Sequence, residues 1–268
     1  MADMKRTAGI VFVILVALAI AVWYFLFSPD VPEAPPAPPP TEAPPSPTPT
    51  PGTQERLSER LKGVTLENAD DAVRPLAGDL SDRPELAVWL GEEDLLRRAV
   101  AAVHNVAAGG SPVAHLEFLR PTERFEVREE DGVVTIDRSS WQRYDAVVAV
   151  FTSVDTERLV TLYRELEPLL QEAHDEISPP GETFKGRLVA AIDHLLEVPV
   201  PEDDEIEVRQ KVVTYEYVDP ELEGLSEAQR QLLRLGPRNV RQVQAKLRDV
   251  RAALTAAPTP TPFAVPAQ

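Results

Sequence analysis

The chain has 268 residues, a formal net charge of −17 at pH 7 and no cysteine. The absence of cysteine excludes disulfides, thiol nucleophiles, a lipid-modified cysteine and cysteine-ligated zinc. The acidic charge disfavours general binding to nucleic acids, which are themselves negatively charged. A chain of this length is sufficient to bury a hydrophobic core without disulfides.

Residues 8–27 form an uninterrupted run of twenty apolar residues that follows two basic residues. At about 1.5 Å per residue, a helix of this length spans roughly 30 Å, the thickness of the hydrocarbon core of a bilayer. Positive residues beside a span resist translocation, so we expect residues 1–7 in the cytoplasm and the bulk of the chain outside it. The rival interpretation is a signal peptide cleaved after Ala21. The apolar run continues through residues 22–27, however, which favours an uncleaved anchor.

Residues 28–54 are predicted to be a proline-rich linker, since twelve prolines fall between residues 29 and 51. Proline fixes φ and removes amide donors, so this segment favours an extended path of about 3.1 Å per residue. Residues 256–268 repeat the Pro-Thr composition without an apolar period and are predicted to be a disordered tail. Between these segments, residues 55–255 are predicted to form one globular domain outside the cytoplasm.

Apolar residues at three- and four-residue steps predict four amphipathic helices in this domain. They fall within residues 95–103, 155–177, 184–196 and 237–254. Asp155 is the expected N-cap of the second helix, and Pro237 suits the first turn of the last. Pro168, inside the second pattern, predicts either a kink or the meeting of two helices.

Capping boxes predict two further helices. One is a short helix opened by Ser226 and Gln229, and the other covers residues 140–153 and is opened by Ser139 and Gln142. Helical signals therefore dominate the domain.

Strand signals are fewer. Residues 125–129 and 133–137 flank Asp131-Gly132, a pair that supplies the positive φ angles of a tight hairpin. Residues 206–218 alternate and are rich in β-forming residues. We therefore expect a mainly α domain with a small antiparallel β-sheet, which is an α+β fold.

The chain carries no strong catalytic, cofactor or metal motif. Its four histidines show neither an HExxH arrangement nor a second histidine four residues away, so structural or surface roles are predicted for them. The acidic residues 201–207 lack the spacing and the central glycine of a calcium loop, and we expect a solvated loop there. No catalytic residue, cofactor or metal site is predicted. A hydrolase that uses paired carboxylates stays open, because no one pair is singled out.

Residues 230–251 reverse the acidic character of the chain, with seven basic residues against one acidic residue. One interpretation is a basic face packed against acidic neighbours such as those at 202–207. The other is a docking surface for an acidic partner or an anionic headgroup, for which Arg238, Arg241 and Arg248 are the candidate residues.

Further polar residues interrupt the apolar helical patterns and are candidates for shaping a binding groove. They are Arg143, Tyr144, Asp145, Arg187 and Asp193. The alternative is that these residues form satisfied salt bridges and hydrogen bonds within the fold.

Four segments of the chain resemble one bacterial family when they are taken together. They are residues 141–155 (WQRYDAVVAVFTSVD), 162–177, 184–199 (FKGRLVAAIDHLLEVP) and 215–250. In these segments and their order the chain is similar to the bacterial domain-of-unknown-function family 3014, whose members carry an N-terminal membrane segment and a proline-rich spacer. The resemblance implies a bacterial envelope protein of the inner membrane that faces the periplasm. It brings no assigned activity.

The favoured hypothesis is a non-enzymatic interaction or scaffolding domain that a single-pass inner-membrane anchor presents in the periplasm. Its expected partners are the lipid bilayer, through residues 8–27, and other envelope proteins, but no nucleic acid; a small-molecule ligand is unknown. An enzymatic role stays open as the alternative, in the form of a carboxylate-dependent hydrolase acting on cell-wall polymer. A third hypothesis, that the transmembrane helix itself binds other helices, has only a weak small-residue pattern to support it.

Overall fold

The computed structural model describes residues 57, 59–119, 121–202, 204–212 and 214–256. The predicted membrane segment 8–27, the linker 28–54 and the tail from residue 257 lie outside these residues. Within the described ranges, no helix combines the length and the apolar character needed to cross a bilayer.

Most of the folded region is helical. In chain order the α-helices of the described residues are α1 (Ala69–Gly78), α2 (Pro84–Trp89), α3 (Leu95–Ala107), α4 (Ser139–Gln142), α5 (Asp145–Ser153), α6 (Thr156–Asp175), α7 (Phe184–Leu196), α8 (Pro220–Glu223), α9 (Glu227–Leu233) and α10 (Pro237–Thr255). Two short 3-10 turns, Val113–His115 and Glu117–Leu119, follow α3.

Five helices pack together around the hydrophobic core. Helix α3 packs most extensively against α7 and also contacts α6, while α10 packs against α5, α6 and α7. The apolar positions that predicted α3 and α10 are all buried: Leu95, Leu96, Ala99, Val100, Val103, Val240, Val243, Leu247, Val250 and Leu254. Each large aliphatic side chain buried in this way contributes about 1.5–3 kcal/mol. The two helices are thus confirmed.

Helix α6 confirms one predicted boundary and corrects another prediction. The Asp155 side chain accepts a hydrogen bond from the Arg158 amide at 2.8 Å, which makes Asp155 the N-cap. The helix runs through Pro168 without a break, so the expectation that two helices meet there is wrong. Pro168 lies on the exposed side of the helix, where water can bind the carbonyl group left without an amide donor.

The two capping-box predictions have opposite outcomes. The box of Ser226 and Gln229 is present at α9, with both reciprocal hydrogen bonds. The single helix predicted over 140–153 is wrong, because α4 ends at Gln142 and α5 begins at Asp145. Ser139 does not cap: its amide and hydroxyl both donate to Asp137 Oδ1, at 2.8 and 2.6 Å. The Gln142 amide, which Ser139 Oγ was expected to accept, donates to the Arg138 carbonyl at 3.1 Å instead.

The strands form two antiparallel hairpins, β1 (Val127–Glu130) with β2 (Val133–Ile136) and β3 (Val208–Lys211) with β4 (Thr214–Tyr217). Asp131 and Gly132 have φ angles of 50° and 80°, as the tight turn requires. A bridge between Thr135 and Glu207 joins the hairpins. The α+β class is therefore confirmed, with two small sheets where one was expected.

Candidate interaction surface

The start of α10 is held against a tryptophan. Gly236 has a φ angle of 82°, and a Cβ atom at this position would lie 2.6 Å from Trp141 Cδ2 and 2.8 Å from Trp141 Cβ. The chain can pass this close to the indole because glycine has no side chain. The contact between Gly236 and Trp141 and the burial of the apolar side of α10 together determine which residues of the helix face outward.

Three arginines occupy the outward side of α10. Arg238, Arg241 and Arg248 are exposed, as is Ala245 between Arg241 and Arg248. We call these three arginines the arginine stripe. Asp249, which follows Arg248, is also exposed and is the one acidic residue of this helix.

The stripe makes few bonds within the fold. Arg238 Nη1 lies 4.0 Å from Asp145 Oδ2, and its side chain is 76% exposed. Arg241 donates to the Pro201 carbonyl at 3.0 Å, and Arg248 donates to Gln244 Oε1 at 3.4 Å. The exposed ion pair of Arg238 contributes only about 0–1 kcal/mol, and Arg241 and Arg248 contact neutral oxygens, so the charges of the stripe remain available to a partner.

The other basic residues of segment 230–251 bond into the fold. Arg230 donates to the carbonyls of Glu223 and Leu225, and Arg251 makes a two-pronged pair with Asp193. Arg234 hydrogen-bonds the Tyr217 hydroxyl. Lys246 donates to the Val154 carbonyl and to Thr156 Oγ1, and burial lowers the pKa of its ammonium group. The segment therefore divides into an inward and an outward group.

The candidates Arg143, Tyr144 and Asp145 come together beside the stripe. Asp145 accepts a hydrogen bond from Asn239 Nδ2 at 2.8 Å and faces Arg238. Arg143 donates to the Ser140 carbonyl at 2.8 Å and lies over the aromatic rings of Phe125 and Tyr144. Tyr144 itself is buried, so its ring packs below the surface at the start of α10.

Arg187 and Asp193 lie on α7, away from the start of α10. Arg187 Nη2 donates to His104 Nε2 at 3.1 Å and so links α7 to α3. Asp193 links α7 to α10 through its pair with Arg251. The structure thus groups Arg143, Tyr144, Asp145 and Arg238 around the start of α10. Arg241 and Arg248 are exposed further along that helix, and Arg187 and Asp193 lie in contacts between helices.

An acidic groove borders the stripe. Its carboxylates come from Glu202, Glu205 and Glu207 and from Asp219 and Glu221, and its volume is about 450 Å³. Pro201, whose carbonyl binds Arg241, lines the same groove. In the part of the chain that the structure describes, no group of three or more histidine, aspartate or glutamate side chains is arranged to hold a metal ion.

One partly buried carboxylate could be mistaken for a catalytic group. Burial raises the pKa of Asp70, but its two oxygens accept hydrogen bonds from the amides of Asp94 and Leu95, at 2.8 and 3.2 Å. Both oxygens are therefore occupied at the start of α3. Asp70 gives the hydrolase hypothesis no support.

Two histidines lie between α3, α6 and α7. His174 is fully buried, and its Nδ1 is 3.1 Å from Ser178 Oγ. The rings of His104 and His174 are 6.4 Å apart. Burial lowers the pKa of His104, and the charges of Arg187 and His174 lower it further.

Sequence reasoning missed the aromatic contacts of this surface. Phe125 and Tyr215 have ring centroids 5.3 Å apart, although they belong to segments ninety residues apart in the chain. The only local signal was their position in or beside β-rich segments, and such a signal cannot indicate which aromatic rings meet.

The folded region is thus a mainly helical α+β unit with an exposed arginine stripe beside an acidic groove. The model of the family "Protein of unknown function (DUF3014)" matches residues 95–251, more than half of the chain, and the chain belongs to this family. The resemblance seen in the four segments is confirmed. No curated protein and no solved structure matches the chain.

Proposed function

We propose that this protein is a non-enzymatic interaction or scaffolding protein of the bacterial envelope. In this proposal, residues 8–27 anchor it in the inner membrane, its N-terminus is cytoplasmic and residues 55–255 lie in the periplasm. The arginine stripe docks an acidic segment of another envelope protein. The apolar run, the proline-rich linker and the family membership support this arrangement.

The observation that carries the docking role is the division of the basic segment. Arg230, Lys246 and Arg251 are held by carbonyls or a carboxylate of the fold, whereas the stripe is exposed on one side of α10. A guanidinium group binds carboxylates through two parallel hydrogen bonds, which gives geometric specificity as well as charge attraction. An acidic peptide segment matches this surface better than an apolar one.

The test is crosslinking of the full-length protein in cells. The triple variant Arg238→Glu, Arg241→Glu, Arg248→Glu reverses the stripe. We expect it to lose the crosslinked partner proteins by at least about tenfold, because several charge-assisted hydrogen bonds are lost together. Carbonate extraction of membranes from a parallel sample without crosslinker should leave both the parent and the variant in the membrane fraction.

A matched control is available on other surfaces. Lys62, Arg83 and Arg124 are exposed and form no ion pair among the described residues, and their replacement by Glu changes the net charge equally. Retention of every partner by the stripe variant would refute the docking role. If only binding to phosphatidylglycerol vesicles falls and all partner proteins remain, the stripe instead recognises a lipid headgroup.

A further inference from the structure

A second concavity lies where the hairpins meet α9. It has a volume of about 190 Å³, and its apolar wall includes Phe125, Val208 and Tyr215. Arg230, Arg234 and Lys211 line the same space, as do the carboxylates of Glu216 and Glu223. None of the three stripe arginines contributes to it, so this pocket is separate from the proposed docking surface.

The guanidinium group of Arg230 is held in place by two backbone carbonyls. Its Nη1 donates to the carbonyls of Glu223 and Leu225, at 2.6 and 2.9 Å, which fixes the plane of the guanidinium group. Among the described residues, no carboxylate lies within 4.0 Å of this group, and Nε and Nη2 have no hydrogen-bond partner. A fixed guanidinium loses little conformational entropy when it binds an anion.

The two carboxylates of the pocket are already engaged by protein groups. Glu216 pairs with Arg209 and with Lys211 Nζ, the latter at 3.2 Å. Glu223 Oε2 accepts a hydrogen bond from the Tyr217 amide at 3.0 Å. The lining carries the three cations Lys211, Arg230 and Arg234 and the two carboxylates, so its net charge is positive.

Tyr217 adds a polar group to the pocket. Burial raises the pKa of Tyr217 to about 12, so its hydroxyl is neutral near pH 7. A neutral phenol hydroxyl has a hydrogen that it can donate.

We infer that this pocket binds a carboxylate carried on a small apolar or aromatic body, as at the C-terminal residue of a peptide. The Arg230 Nε and Nη2 groups bind the two carboxylate oxygens, and the body lies against Phe125 and Tyr215. The volume suits this class of ligand, since a protein cavity of about 150 Å³ holds benzene. We call the site the carboxylate pocket.

Calorimetric titration of the detergent-solubilised full-length protein tests the pocket with three probes. N-acetyl-alanyl-phenylalanine represents a peptide terminus, benzoate represents a free small acid, and N-acetyl-alanyl-phenylalanine amide has the same body without the charge. We expect one or both acids to bind at least about tenfold more tightly than the amide, because the amide lacks the charge-assisted pair with Arg230. Tighter binding of the peptide acid would identify the ligand as a peptide terminus, and tighter binding of benzoate would identify it as a free small acid. Equal binding of acid and amide, or binding of neither acid, overturns the inference.

Variants then assign binding to this pocket. Arg230→Gln should weaken binding of the acid at least about tenfold. Because Arg230 also holds two carbonyls, Lys211→Gln provides a second test at an exposed residue and should weaken binding several-fold. Arg209→Gln is the matched control: it lies on the same strand, pairs with the same Glu216 and does not line the pocket. Equal binding by all three variants would show that the ligand binds outside this pocket. That result is independent of the crosslinking test of the arginine stripe.

Discussion

The inward and outward basic residues of α9 and α10 share one stretch of sequence but have different surroundings. Lys246 is half-buried and donates to the Val154 carbonyl across a helix contact, while Arg248, two residues later, is exposed and contacts its own helix. A buried carbonyl that loses its donor costs about 1–3 kcal/mol, whereas an exposed ion pair contributes about 0–1 kcal/mol. A high density of positive charge therefore does not by itself identify a docking surface. The residues that remain exposed after packing identify it.

The largest expected effect comes from Gly236, because the contact of Gly236 with Trp141 sets which side of α10 faces outward. Gly236→Ala should lower the free energy of unfolding by about 3 kcal/mol, since overpacking adds to the cost of a positive φ. Chemical denaturation measures this loss. Gly181→Ala is the control, because Gly181 has a φ angle of 93° and open space around it. It should lose only about 1 kcal/mol. Equal losses for the two variants would show that the Trp141 contact is not tight.

A smaller effect on the free energy of unfolding is expected to distinguish the inward from the outward basic residues. Lys246→Met keeps the aliphatic stem but removes the donor to Val154 and Thr156, so we expect a loss of about 2 kcal/mol in the free energy of unfolding. Arg248→Met, on the outward side of the same helix, should change it by less than about 0.5 kcal/mol. The same denaturation experiment compares the two variants. A loss in Arg248→Met as large as in Lys246→Met would contradict the division.

The smallest effect concerns Arg187, an inward cation on α7, and its partner His104. Because the folded-state pKa of His104 is lowered from about 6.5, the unfolded chain binds the proton more tightly. The contribution of His104 to stability is therefore fully present above about pH 6.5, and it is lost as the pH falls below that value. Thermal unfolding at pH 7.5, 6.5 and 5.5 should show this decline, and His104→Gln should reduce it.

Two other groups define the control for this pH experiment. His115 contributes in the same direction, since burial and the charge of Arg98 lower its pKa, so the double variant with His115→Gln should be flatter still. The hydrogen bond from Arg97 lowers the pKa of the Glu176 carboxyl from 4.5, so its contribution is lost only at more acidic pH. A decline of unchanged size in the double variant would rule out His104 and His115 as its cause.

The two hairpins show where local sequence information ends. Asp131-Gly132 predicted the first turn because both residues tolerate positive φ. In the second hairpin, Val212 has a φ angle of 33° and is 92% exposed, although a β-branched residue is unfavourable there. The β-rich pattern of residues 206–218 predicted extended structure but carried no signal for that turn. The pairing of Lys211 with Thr214 across the turn holds the valine in this conformation.

Patterns along the chain were sufficient for the helices α3, α6, α7 and α10 and for the cap at Ser226. These features depend on residues within about one or two helical turns of each other, so short spacings contain the necessary information. Packing alone decided that Lys246 meets Val154 and that Phe125, Tyr215 and Arg230 line one pocket. Contacts between distant segments depend on how whole helices and strands pack, which no local spacing records.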